Sequence, residues 1–247
     1  MSTLAAPPGD WDYAARVADV KARVHIAEAS CGRAGSGVRL LVATKTWSAD
    51  AAVAAVAAGA RIVGESRMQE LAEKGEALRA AGARVHVIGQ LQRNKAAIAV
   101  EFADCVQTVD SMRLAERLSR LCVEAGRELD VMIQVNVSGE ESKSGVEPDD
   151  ALDLAAAVQA LPALTVTGFM TIGLHSRDEE AVRAGYRRLR EIRDAALIRS
   201  ESGALPLTDA WHLSMGMSRD LEWAIAEGAT MVRVGSAVMG QRPTPTT

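Results

Sequence analysis

Short apolar runs alternate with longer amphipathic stretches along this chain, and glycine or polar punctuation separates them. The runs at 38–44, 61–64, 84–89, 105–109, 131–137, 164–171, 210–214 and 231–235 predict eight strands. Amphipathic stretches at 49–58, 67–80, 94–101, 111–126, 148–160, 178–199 and 219–227 predict helices between them, and 10–29 predicts a leading helix. The strands read as unbroken apolar runs rather than strict alternation, which is the pattern of a parallel sheet covered on both faces. Eight strand–helix repeats in 247 residues match the size and order of a (β/α)8 TIM barrel, whereas a doubly wound open sheet would use fewer strands. The expected fold is therefore α/β, a single (β/α)8 barrel with an extra N-terminal helix. No linker-like break divides the chain, and only the tail 243–247 reads as frayed.

Composition fits this reading and narrows the function. Hydrophobic residues make up 48% but aromatics only 3%, so the core has to be built from aliphatic side chains, as barrel interiors are. With 28 Lys and Arg against 32 Asp and Glu, the formal charge is −4. Such a chain has no global basic field for nucleic acid or an anionic membrane, and an anionic ligand needs a local site. Cys31, Cys105 and Cys122 are odd in number and lack metal-ligand spacing, which points to a reducing compartment rather than a disulfide framework. No signal-like segment opens the sequence and no membrane-length apolar run occurs, so a cytoplasmic location is expected. None of the helical stretches shows a spare apolar face, and a monomer is the default.

In such a barrel, chemistry sits where strands end at the C-terminal face. Lys45 follows the first apolar run, where a partly desolvated amine would favour the neutral nucleophile that condenses with an aldehyde; the plain alternative is a surface lysine at a strand-to-loop junction. Gly235 and Ser236 follow the last strand, where exposed backbone N–H groups and a hydroxyl could hold a phosphate, with Arg233 pointing into the mouth. The plain alternative there is a strand-end turn with an arginine in an ion pair. Ser214, at the predicted end of the seventh strand, could reach the same phosphate, while Ser218, followed by Arg219 and Asp220, reads as a helix N-cap. The run 139–145 reads as a flexible polar loop. His25, His86, His175 and His212 have no metal-ligand spacing, and neither Gly-x-Gly-x-x-Gly nor a Walker lysine is present.

The strand-end segments, taken in order, carry a resemblance. Val42-Ala43-Thr44-Lys45-Thr46, Gly64-Glu65-Ser66-Arg67-Met68-Gln69-Glu70, the run from His86 to Lys95, Ile133-Gln134-Val135-Asn136-Val137, Ser142-Lys143-Ser144-Gly145, Leu213-Ser214-Met215-Gly216-Met217-Ser218 and Val232-Arg233-Val234-Gly235 resemble the pyridoxal phosphate homeostasis protein family. That family's fold is like the N-terminal barrel of bacterial alanine racemases. The resemblance implies that Lys45 carries pyridoxal 5'-phosphate (PLP) as a Schiff base. It also implies that Ser214, Gly235 and Ser236 hold the phosphate and that Arg233 faces the pyridine nitrogen. An arginine there would oppose ring protonation and leave a weaker electron sink than an aspartate would. Ser66 stands where the family has a cofactor-contacting asparagine, and Gln90 where it has proline.

Racemases of this barrel type place a tyrosine from a second domain on the far face of the cofactor. Here only Tyr13 and Tyr186 exist, and neither falls at a predicted strand end. The resemblance thus implies storage and delivery of PLP, with apo forms of PLP-dependent enzymes as partners, rather than efficient turnover. A weak amino-acid racemase is the alternative, and a class I aldolase using Lys45 on a phosphorylated sugar is a third reading.

Overall fold

The computed structural model describes residues 11–140 and 144–241, so the tail 243–247 and Lys143 lie outside the described residues. Eight strands close into an all-parallel barrel in sequence order. They are β1 (Arg39–Ala43), β2 (Ile62–Glu65), β3 (Arg84–Val87), β4 (Cys105–Val109), β5 (Leu129–Gln134), β6 (Leu164–Met170), β7 (His212–Met217) and β8 (Met231–Val234). Helices α1 (Tyr13–Ser30), α2 (Ala49–Ala57), α3 (Met68–Ala80), α4 (Ala96–Phe102), α5 (Met112–Ala125), α6 (Ala151–Gln159), α7 (Glu179–Glu201), α8 (Leu221–Ala226) and α9 (Ser236–Met239) complete the repeat. This is the expected (β/α)8 barrel, with α1 as the added leading helix.

The alternation along each strand separates two apolar layers. Val42, Val63, Val85, Val106, Val131 and Val232 face the helices and join Leu71, Leu78, Leu114, Leu118 and Leu189 in the main core. Burying each leucine stabilises by roughly 1.5–3 kcal/mol. Leu41, Ile62, Cys105, Met132, Met170 and Met231 form a second cluster inside the barrel. Aliphatics and methionine fill that narrow space, as the shortage of aromatics required.

Three elements differ from expectation at their boundaries. The helices predicted at 94–101 and 148–160 each open with a 3-10 turn, Arg93–Lys95 and Pro148–Asp150. More consequentially, β7 starts later and continues past Ser214 to Met217. The Met-Gly-Met run looks flexible in sequence, but Gly216 holds φ 89° within the strand, at a register shift against β8 between Ser214 and Met217. A side-chain carbon at Gly216 would stand 2.4 Å from the Ala224 methyl, so only glycine lets α8 pack this close.

The β1–β8 pairing closes the barrel and aligns Leu41 with Arg233 and Val42 with Val234. Outside this seam α1 packs against α8 and α9. Trp11 donates its indole N–H to the Val238 carbonyl at 2.9 Å, with Arg16 stacked 3.6 Å over its ring. Arg23 reaches the Ser218 carbonyl at 2.8 Å and pairs with Glu222.

Candidate functional site

At the C-terminal mouth the seam brings the ends of β1 and β8 side by side. A side-chain carbon built on Gly235 would lie 3.7 Å from Ala43 Cβ, so the turn carrying Lys45 begins next to the Gly235–Ser236 turn. The Gly235 cap of the short α9 makes no side-chain cap hydrogen bond, and the first N–H groups of a helix have no acceptor within it. Lys45, Gly235 and Ser236 therefore share one edge of the mouth.

Lys45 sits at the second position of a turn, Thr44-Lys45-Thr46-Trp47, closed by the Trp47 N–H to the Thr44 carbonyl at 3.2 Å. The third position, Thr46, has φ 72°. Glycine or asparagine normally takes that position, because a β-branched residue is strained there. Thr46 donates its N–H to Glu70 Oε2 at 2.6 Å, and its hydroxyl oxygen is buried without a hydrogen-bond partner.

Beneath the turn lies an ion cluster that the sequence did not advertise. Lys74 Nζ is fully buried, 2.7 Å from Glu65 Oε1 and 3.7 Å from Glu70 Oε2. It also donates to the carbonyls of Thr44 at 3.0 Å and Trp47 at 3.2 Å. Glu65 accepts from the Thr44 hydroxyl at 2.6 Å, while its Oε2 has no partner. Burial pushes the Glu65 carboxyl above the usual carboxylate range, against the opposing pull of Lys74 and the Thr44 hydroxyl.

Across the barrel a second polar chain links four strands. Arg233 donates to Ser214 Oγ at 2.9 Å and to the Thr171 carbonyl at 2.7 Å. Ser214 donates its hydroxyl to Gln107 Oε1 at 2.7 Å, and the Gln107 amide donates to His86 Nδ1 at 2.7 Å. That donor assigns the neutral His86 tautomer with hydrogen on Nε2, which is buried without a partner. Burial, followed by the charges of Arg84 and Arg39, lowers the His86 pKa to about 3. Because β7 runs on to Met217, Ser214 lies mid-strand and fully buried, with its hydroxyl already committed to Arg233 and Gln107.

The loop after β7 is tied down from two sides. Asp220, not Ser218, is the residue capping α8, which corrects the expected cap. Its carboxylate turns back to the Met217 N–H at 2.6 Å and accepts the Tyr186 hydroxyl at 2.9 Å. Tyr186, in mid-α7, is thus fully buried and aimed at the loop after β7, a placement its sequence position did not reveal. Ser66 follows β2 and packs on Gly89, where a side-chain carbon would stand 2.5 Å from the Ser66 carbonyl oxygen. Gln90, in the family's proline position, is exposed.

The described residues hold no cluster of His, Cys, Asp or Glu suited to a metal and no helix long and apolar enough to cross a membrane. The sequence assigns no role to Lys74 or Gln107, carries Glu65 and Glu70 only as members of a motif, and places Tyr186 only as lying away from the strand ends. Only the one-turn spacing of Glu70 and Lys74 on α3 could have hinted at a shared face.

Comparisons with known proteins agree with this layout. Residues 16–243 match the family of the alanine racemase N-terminal domain. A pyridoxal phosphate homeostasis protein of Aquifex aeolicus is 40% identical over 216 residues, covering 86% of this chain and 92% of that one. The crystal structure of an unknown protein from Bifidobacterium adolescentis superposes with a TM-score of 0.87 at 39% identity, over 96% of this chain and 100% of that one. PipY of Synechococcus elongatus, solved with PLP bound, gives a TM-score of 0.78 at 32% identity, over 93% of this chain and 100% of its own. With the family model matched over 16–243 and a relative 40% identical over most of both chains, the chain belongs to the pyridoxal phosphate homeostasis protein family, on the alanine racemase N-terminal fold.

Proposed function

We propose that this protein binds PLP as a Schiff base on Lys45 and serves PLP homeostasis by storing and delivering the cofactor, without efficient catalysis. The observation that carries the reading is the β1–β8 seam, which sets the Lys45 turn beside Gly235 and Ser236 with the buried Arg233 guanidinium on the same strand. The residues present suit the group. Lys45 supplies an amine for the aldehyde, the turn into α9 supplies N–H groups and a hydroxyl for the phosphate, and Arg233 supplies a fixed cation for the pyridine nitrogen. The buried, unpartnered Thr46 hydroxyl beside Lys45 adds an unused polar contact at that edge. Ser214 enters this reading as the hydroxyl that anchors Arg233, and Ser66 as a neighbouring polar rim.

Bound PLP would supply an electron sink, which Arg233 weakens by disfavouring a second positive charge on the ring nitrogen. Tyr186 commits its hydroxyl proton to Asp220 at 2.9 Å, and burial, followed by the Asp220 charge, raises its pKa. That supports a carrier over the alternative of a weak racemase.

The test is an absorbance spectrum of purified protein loaded with PLP, before and after borohydride, with mass mapping of the modified residue. Reduction that fixes the cofactor on Lys45, and loss of the band in Lys45→Ala, are expected. Label elsewhere, or an unchanged band in Lys45→Ala, would sink the reading. The carrier role is checked by mixing holo-protein with an apo-enzyme that depends on PLP: reactivation by the holo-protein supports it, and no transfer counts against it.

A further inference from the structure

We propose that Lys74 is a positioning residue for Lys45, and that the buried Lys74–Glu65–Glu70 cluster decides whether ligand is captured covalently. The inference rests on the reading that Lys45 condenses with the aldehyde of PLP. In that step the Lys45 nitrogen bonds to the aldehyde carbon and the aldehyde oxygen leaves as water, with no change of oxidation state. Its rate depends on where the turn holds the amine.

Three observations point to Lys74. Its ammonium has three protons, and they are used on the carbonyls of Thr44 and Trp47, the two ends of the Lys45 turn, and on Glu65 Oε1. One lysine therefore grips the turn at both ends from a helix thirty residues further along the chain. The turn itself is strained, because Thr46 holds φ 72°, a left-handed conformation that a β-branched residue rarely adopts. The Glu70 carboxylate holds that strain in place through the Thr46 N–H at 2.6 Å.

The third observation is that packing alone does not call for this cluster. Lys74 and Glu65 are both fully exposed to desolvation cost, with 0% accessible side chains, and Glu65 Oε2 has no partner. A methionine of similar length would fill the same space, and replacing buried ion pairs by apolar residues is often neutral or stabilising. What methionine could not do is bond two carbonyls and a carboxylate at once. The cluster's return is thus conformational, and the conformation it fixes belongs to the residue between those carbonyls.

Without the grip, the Thr44 and Trp47 carbonyls turn to other donors, Thr46 relaxes to negative φ, and the Lys45 amine moves away. The phosphate and ring contacts, which come from β8 and the turn into α9, stay where they are. Covalent capture weakens while recognition of the phosphorylated ring does not.

Pyridoxamine 5'-phosphate separates the two effects, because it keeps the ring and phosphate but has no aldehyde. Affinities for PLP and for pyridoxamine 5'-phosphate are measured on the full chain carrying Lys74→Met, Glu70→Ala or Glu70→Gln, with borohydride trapping on Lys45 as a second readout. Lys74→Met and Glu70→Ala are expected to lose about tenfold or more in PLP affinity, and with it most of the trapped label, while affinity for the amine analogue moves by less than about twofold. Glu70→Gln, which keeps an acceptor for the Thr46 N–H, is expected to recover most of that loss. Equal losses for both ligands, or an unchanged PLP preference, would overturn the proposal. If Lys74→Met does not fold, the Glu70 pair decides alone. Lys45→Ala in the same assay tells the two failures apart. Should it keep the PLP preference, the covalent reading itself is wrong; should it lose that preference while Lys74→Met keeps it, only the role of Lys74 is.

Discussion

Tyr186 and Asp220 meet in the barrel wall through a 2.9 Å hydrogen bond, and the other carboxylate oxygen of Asp220 receives the Met217 N–H at 2.6 Å. One tyrosine on α7 therefore fixes the loop that ends β7. Tyr186→Phe leaves a buried carboxylate oxygen without its donor, which costs about 1–3 kcal/mol. Chemical denaturation should show that loss, whereas the borohydride-trapped label on Lys45 should persist. A variant that kept its stability but lost the label would mean that the tyrosine acts on the cofactor and not on the loop.

His86 makes the fold sensitive to acid. Its folded pKa is lowered to about 3, so between that value and the ordinary 6.5 the unfolded chain binds a proton that the folded chain does not. Stability is then fully present above about pH 6.5 and falls as pH drops, by up to about 1.4 kcal/mol per pH unit from this residue. His212, lowered to about 4 by burial and then by Arg39, adds a weaker loss of the same sign. Urea midpoints taken between pH 7 and pH 4 should slope less in His86→Gln than in the parent. Parallel slopes would show that His86 does not carry the effect.

For Arg233, stability and the proposed binding role can be measured apart. It lies buried in the chain from Thr171 to His86, and its charge has no carboxylate among its hydrogen-bond partners at Ser214 and Thr171. Exchange for an apolar side chain of similar size removes a desolvated charge but also strands two acceptors, so Arg233→Met should change the stability of the cofactor-free protein by no more than about 1 kcal/mol. If Arg233 faces the ring nitrogen as proposed, affinity for PLP should fall about tenfold or more. Calorimetric melting and equilibrium titration measure the two quantities separately, and a tight-binding Arg233→Met protein would remove the arginine from the site.

Gly216 has two reasons to be glycine. At φ 89° any side chain is strained, and the added carbon would press to 2.4 Å from the Ala224 methyl. Gly216→Ala should destabilise by about 2–4 kcal/mol, from the backbone conformation and the overpacking together. Because α8 must then move off β7, the loop at 218–220 should lose hydrogen-exchange protection before the rest of the barrel does.

Strands such as β1 and β4 were visible in the sequence because a buried parallel strand has no polar side to disguise it. The end of β7 was not. Met215-Gly216-Met217 has the composition of a loop, and the register shift that keeps it in the sheet arises only when β8 is alongside. Lys45, Gly235 and Ser236 could be picked out because they follow recognisable strands. Glu65, Glu70 and Lys74 could not, for charges spaced along an amphipathic helix ordinarily face water. Here α3 carries two of them inward under the lysine turn, a fact of packing that no local pattern encodes. Tyr186 was hidden in the same way, by the length of its side chain reaching from a helix to a loop.

The seam between β1 and β8 has a consequence for how the site comes into being. Its two halves are synthesised nearly two hundred residues apart, at positions 39–43 and 231–234, and they become neighbours only when the barrel closes. Joining such distant segments carries the largest loop-closure cost in the fold. A ligand that needs both halves binds the closed ring and nothing before it, and so favours closure by mass action. Vitamin supply would then be felt by this chain as resistance to unfolding, with β8 completing both the barrel and the ligand's berth.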